Sequence, residues 1–225
     1  MGTPDEVRPA FYALERGGWR DYVTLLHPPY TLWHLSYVAV GAALAPAFHL
    51  ERLLWGLAAF FLALGVAAHA LDELKGRPLA TRIPSPVLVL VAVVSLAGAV
   101  AIGVGAARAW GWWLLAFVAA GAVLVPAYNL ELALHTDLGF ALAWGAFPAL
   151  TGYFVEAQTL RVEAVLAAGY AFALSLAQRT LSTPVREARR RAGTTAGTEP
   201  LERTLRLLTW ASVAVAAALV AARLR

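Results

Sequence analysis

The chain has 225 residues, 60% of them hydrophobic and 14% charged, with a net charge of +4 and a mean hydropathy of +0.65. A soluble domain carries roughly a quarter charged residues, so this balance names lipid rather than water as the main solvent. The lack of cysteine excludes disulfides, thiolate catalysis, iron–sulfur clusters and cysteine zinc sites, and no basic, aromatic-interleaved patch outside the apolar runs supports nucleic-acid binding.

Residues 1–25 are polar, with Asp5, Glu6, Arg8, Glu15, Arg16, Arg20 and Asp21, and hold no apolar stretch of the signal-peptide kind, so nothing is expected to be cleaved off. A bundle is expected over 26–183, a cytoplasmic linker over 184–204 and a last membrane helix over 205–225. A bilayer core about 30 Å thick needs about 20 apolar helical residues. Such runs fall near 30–48, 53–71, 87–107, 109–127, 138–156, 160–178 and 205–222. The predicted fold class is therefore all-α, a polytopic transmembrane helical bundle of about seven spans. Ala45-Pro46, Gly76-Arg77-Pro78, Ile83-Pro84-Ser85-Pro86 and Val125-Pro126 supply turn-forming residues between spans. Placing the N-terminus in the cytoplasm leaves Arg52, Arg108, Arg161, Arg223 and Arg225 as the only outside cations among 18 Lys and Arg. That bias follows the positive-inside rule and predicts a cytoplasmic or inner-membrane protein with its N-terminus inside. The linker, with Arg189-Arg190-Arg191, either stays in solution or touches anionic headgroups.

This topology gathers polar residues at the cytoplasmic ends. The second span ends in His69-Ala-Leu-Asp72-Glu73, and the fourth continues into Glu131-Leu-Ala-Leu-His135. Each places an imidazole and a carboxylate four residues apart on one helical face. Two such pairs could supply one divalent ion, with His69, Asp72, Glu73, Glu131 and His135 as ligands. Mixed nitrogen and oxygen donors suit iron, manganese or zinc; a carboxylate-dominated site suits magnesium carried by a phosphate-bearing substrate. The bland reading, acids solvated among headgroups, is the better one for Asp21 and Asp137. His69 and Glu131 lie where unpaired ionisable groups are expensive and often functional. His34, with Tyr37 one turn deeper, is a ligand, a hydrogen-bonding partner or merely interfacial. His27 and His49 read as interfacial, and Trp55, Trp110, Trp112 and Trp113 as outer-interface anchors. Gly145 and Gly152 permit close helix approach, and Pro148 implies a kink in the fifth span.

Over residues 22–190 these features resemble the UbiA-type intramembrane prenyltransferases. His27-Pro-Pro-Tyr-Thr-Leu-Trp-His34 is similar to that family's first-helix entrance. Arg77-Pro-Leu-Ala-Thr-Arg82-Ile-Pro-Ser85 resembles its Arg-Pro loop, and Val125-Pro-Ala-Tyr128-Asn129 with His135-Thr-Asp-Leu-Gly139 its fourth-to-fifth helix passage. The resemblance implies prenyl transfer from a polyprenyl diphosphate on a UbiA-like fold. Asp72, Glu73 and Glu131 would then hold Mg²⁺, and Lys75, Arg77, Arg82 and Arg179 the diphosphate. His69, Asp72 and His135 are the expected catalytic groups, and His34, Tyr37, Tyr128, Asn129 and Gln178 further substrate contacts. The family's helix-two motif Asn-Asp-x-x-Asp-x-x-x-Asp is reduced here to Ala68-His69-Ala-Leu-Asp72-Glu73, and its second acidic motif is replaced by Gln178-Arg179-Thr-Leu-Ser-Thr-Pro-Val-Arg186-Glu187. The implied partners are a lipid or isoprenoid substrate and the membrane. The alternatives left open are a His/carboxylate metalloenzyme oxidising or hydrolysing a lipid on the same fold, and a non-catalytic lipid-binding or transport protein.

Overall fold

The computed structural model describes residues 8–132, 134–192 and 197–225. Every regular element within them is a helix. A short α1 (Trp19–Leu25) leads to α2 (Pro28–Leu44), α3 (Leu50–Leu74), α4 (Ser85–Trp110) and α5 (Leu114–Asn129). Then come α6 (Asp137–Ala157), α7 (Val162–Ala192) and α8 (Glu199–Arg223). Five of these, α3, α4, α6, α7 and α8, are long and apolar enough to cross a membrane. The helix positions follow the seven apolar runs, but α2 and α5 have 17 and 16 residues, below the roughly 20 that a perpendicular crossing requires.

The rods alternate in direction. One end of the bundle carries residues 8–27, the 75–84 loop and residues 130–132 and 134–136; the other carries 45–49, 111–113 and 158–161. At that second end Arg223 donates to Pro46 O, and both the backbone and Nδ1 N–H of His49 donate to Glu156 Oε2 at 2.9 Å. Arg52 donates to the terminal carbonyls of Val155 and Glu156 and stacks over Trp110. His49 is thus exposed at this end, where the sequence placed it, and is tied to a buried carboxylate. Trp55, Trp112 and Trp113 are exposed there, whereas Trp110 is covered by Arg52.

Close packing depends on small residues where helices cross, as expected when lipid supplies no drive to associate. A Cβ on Gly41 would meet Ala149 O at 2.0 Å, and one on Gly152 would meet Val38 O at 2.1 Å, so α2 and α6 touch backbone to backbone. Gly145 approaches Ala171 and Ser175 of α7 in the same way. Two stretches widen into π-helical turns, Phe61–Ala68 in α3 and Ala141–Ala146 in α6. Pro148, which has no N–H to give, lies just past the second.

Three boundaries differ from the sequence reading. The last helix, α8, begins at Glu199, inside the expected linker, and not at 205. Pro184 does not end α7, which continues to Ala192, so the expected linker starts as helix; its residues 193–196 lie outside those described. And α5 stops at Asn129 instead of running through His135. Glu131 adopts a left-handed conformation (φ 56°), with its N–H on Tyr128 O and that of Leu132 on Ala127 O. This is the hydrogen-bond pattern that closes a helix C-terminus.

Candidate functional site

The polar end is assembled from α2, α3, α5, α7 and the N-terminal segment. His69 lies on α3 just past the π turn and donates Nδ1–H to Gly65 O at 3.1 Å. His34 on α2 does the same to Trp144 O at 2.7 Å, and His135 to Tyr128 O at 3.1 Å. A carbonyl can only accept, so in each ring Nδ1 carries the proton. In His34 and His135 that leaves the Nε2 lone pair available. The His69 ring has a second backbone neighbour, the Leu26 carbonyl, which engages it further. The His135 ring also lies over Tyr128, with centroids 4.7 Å apart.

Asp72 of α3 faces the same space. The charges acting on it are those of Arg186, His135, Glu73 and Arg179, yet its carboxylate accepts no hydrogen bond among the described residues. Arg179 donates Nε–H to Asp137 at 3.0 Å and lies over Phe140. Arg186, two turns further along α7, has as its hydrogen-bond partner among the described residues Thr183 Oγ1 of its own helix, at 3.4 Å. The buried Tyr128 hydroxyl and Gln178 Oε1 have no hydrogen-bond partner among the described residues, whereas Asn129 returns its amide to Val125 O.

Other expected site residues are placed elsewhere. Glu73 is fully buried and turned away from His69. It accepts Leu79 N–H at 2.9 Å, Thr81 N–H at 2.8 Å and the Thr81 hydroxyl at 2.9 Å. Arg77 staples the same loop, donating to Thr81 O, Ile83 O and Ser85 Oγ. The loop holds Arg77 and Ala80 at φ 51°, so these hydrogen bonds offset a backbone cost of about 1–2 kcal/mol at each. Asp21, expected among headgroups, is buried and binds Gly17 N–H and Arg82 N–H, tying α1 to this loop. Glu131, beyond the end of α5, pairs at 3.9 Å with Lys75, both half exposed, a contact contributing under about 1 kcal/mol. Tyr37 lies deeper, accepting from Ser175 Oγ at 3.5 Å. The five residues expected around one ion therefore do not gather. Among the described residues no three His, Cys, Asp or Glu side chains are grouped to hold a metal; Glu73 spends both oxygens on the Leu79 and Thr81 N–H groups and the Thr81 hydroxyl, and Glu131 lies beyond the end of α5.

The sequence reading gave His27 an interfacial place without a role in the site, and assigned no role to Tyr12 or Tyr30. His27 stacks on His69 with ring centroids 4.0 Å apart and planes at 12°, and its Nδ1 shares a hydrogen bond of 2.8 Å with the Tyr12 hydroxyl. Phe11, Tyr12 and Tyr30 pack edge to face, and Arg206 of α8 covers Phe11. The N-terminal segment is thus a strap across the mouth of the site. The one available signal was the aromatic cluster Phe11-Tyr12, which no periodicity frames.

Burial, with help from His69 and Arg186, holds the His27 imidazole well below its ordinary value of 6.5, and burial raises the Tyr12 phenol. A lowered histidine means that the unfolded strap binds more protons once the pH drops below about 6.5. Strap stability is complete above that pH and is lost on acidification. Hydrogen-exchange protection of residues 8–26 is expected to fall between about pH 7.5 and 5.5, and His27→Gln should flatten that dependence. Protection that does not change over this range would contradict the assignment.

Behind Tyr128 and Trp144 opens a cavity of about 110 Å³ between α3, α4, α5 and α6. Leu64, Val125, Ala143 and Trp144 line its inner end, Phe117 and Phe147 its middle, and Trp55 and Trp110 its far end. Tyr128 packs in the same hydrophobic cluster as Leu64, Val125 and Trp144, so one wall serves both the polar mouth and the apolar hollow. No known protein family, curated protein or solved structure matches the chain.

Proposed function

We propose that the chain is a membrane-embedded, UbiA-like enzyme of seven spans, N-terminus inside, that acts on an isoprenoid or similar lipid. The reaction that fits best is prenyl transfer from a polyprenyl diphosphate. The observation that carries this reading is the shared wall: a polar mouth with Asp72, Arg179 and Arg186 adjoins an apolar hollow. An amphipathic substrate matches both halves, its chain among Leu64, Phe117 and Phe147 and its charged head beside the arginines. In such a transfer the bond from the chain's first carbon to the diphosphate oxygen breaks with its electron pair on the diphosphate. The guanidinium groups of Arg179 and Arg186 stabilise that departing charge. The acceptor bonds to the same carbon, and its proton goes to the Nε2 lone pair of His135. In the resembled family magnesium holds the diphosphate; the carboxylates here do not fit that role as a set. Protein in nanodiscs, given farnesyl or geranylgeranyl diphosphate with a membrane lipid extract, should release diphosphate and form a prenylated lipid. Failure to bind or turn over either substrate would overturn the reading.

A further inference from the structure

We propose that the polar mouth binds the phosphate of its lipid without a divalent metal, using Arg179, Arg186 and the hydroxyl of Tyr128. The inference rests on the lipid-processing reading above and names how that site recognises its ligand.

The carboxylate inventory argues first. Glu73 spends both oxygens on Leu79 and Thr81, Glu131 pairs with Lys75 at the surface, and Asp137 takes Arg179. Asp72 is left as the acid beside the mouth, and the charges of Arg186 and Arg179 act on it together with those of His135 and Glu73. A magnesium ion there would be bound by one carboxylate and repelled by both arginines, whereas hard cations need several oxygen ligands.

The cations argue second. Arg179 and Arg186 are seven residues apart on α7, two turns on one face, and the charge of Arg179 acts on Arg186. Two like charges are held near each other while Arg186 has no acidic hydrogen-bond partner among the described residues. A guanidinium fork matches phosphate oxygens in geometry as well as charge. Tyr128 argues third and independently. Its hydroxyl is buried with no acceptor among the described residues, and the charges acting on it are those of Arg179, Asp72, Arg186 and Asp137. A phosphate oxygen between these three donors satisfies the hydroxyl and leaves the esterified chain at the wall of the cavity.

The test uses geranylgeranyl thiodiphosphate as probe on the full chain in neutral-lipid nanodiscs, with either excess EDTA or millimolar magnesium. Equal affinity in the two conditions is expected, together with a loss of about tenfold or more for Arg186→Gln and a smaller loss for Tyr128→Phe. Inorganic diphosphate, which has no chain, should bind far more weakly; equal binding would show a free-anion site and overturn the lipid assignment. Binding only with magnesium, or an Arg186→Gln protein that binds like the wild type while melting at the same temperature, would overturn the metal-free site and leave the lipid reading standing. No binding of the probe in either condition would overturn both.

Discussion

Glu73→Ala is expected to destabilise the protein by about 3–5 kcal/mol, because it strands buried donors at Leu79 and Thr81 that have no route to water. Each orphaned donor costs about 1–3 kcal/mol, and the loop also loses what holds Arg77 and Ala80 in left-handed backbone. Glu73→Gln should fall between the two proteins, since a carboxamide offers one acceptor oxygen and sets an N–H₂ against a backbone N–H. The midpoint of unfolding in a mixed-micelle denaturant titration reads this directly. The outcome separates two roles for the residue. A loop anchor predicts the same loss with or without chelator, and faster exchange at Leu79 and Thr81. A metal ligand predicts a loss that chelation of the wild type reproduces. A change below about 1 kcal/mol would rule out the anchor.

That residue shows where the sequence was legible. The apolar runs located α2 to α6 within a few residues because a chain in lipid must satisfy its backbone internally, so length and hydropathy decide helix position, whereas α7 and α8 extend well past their runs through polar residues. The gathering of polar groups at one end came from the same alternation. The glycine crossings at Gly145 and Gly152 were equally readable, since only a missing side chain lets backbones approach this closely. Partners of the ionisable groups were not. Pairing His69 with Glu73, and Glu131 with His135, requires unbroken helix and inward-pointing acids. Instead Glu131 closes the end of α5, and the path of the 75–84 loop captures Glu73. Pro184 reads as a terminator, but α7 carries it on an exposed position and loses a single hydrogen bond. The π turns at Phe61–Ala68 and Ala141–Ala146 rotate the downstream residues relative to a 3.6-residue register, so spacing alone does not give the face on which His69 lies. The role of His27 in the site escapes a sequence reading for another reason: its partners Tyr12 and His69 are 15 and 42 residues away, joined by a strap with no repeating pattern.

The strap's own fastening gives the second large effect. Arg189 of α7 places Nε and Nη2 on Glu202 Oε1 of α8 at 3.0 and 2.6 Å, and Nη1 on Arg8 O at 2.6 Å; the two side chains are 7% and 10% exposed. One guanidinium thus joins α7, α8 and the N-terminal segment. Arg189→Ala should cost about 3–5 kcal/mol, because it leaves the Glu202 charge buried and unpaired, and Glu202→Ala should cost a similar amount for the converse reason. Replacing both with apolar residues of similar volume, Arg189→Met with Glu202→Leu, should recover most of that loss, since neither charge then has to be desolvated. The double variant still lacks the donor to Arg8 O. Its global stability should approach the wild type while exchange protection of residues 8–26 stays reduced, which separates the pair's role in helix packing from its role in holding the strap. A double variant as unstable as the worse single one would mean that the pair stabilises the bundle outright. Unchanged protection of the strap in that variant would mean that Tyr12, His27 and Phe11 hold it without help from Arg189.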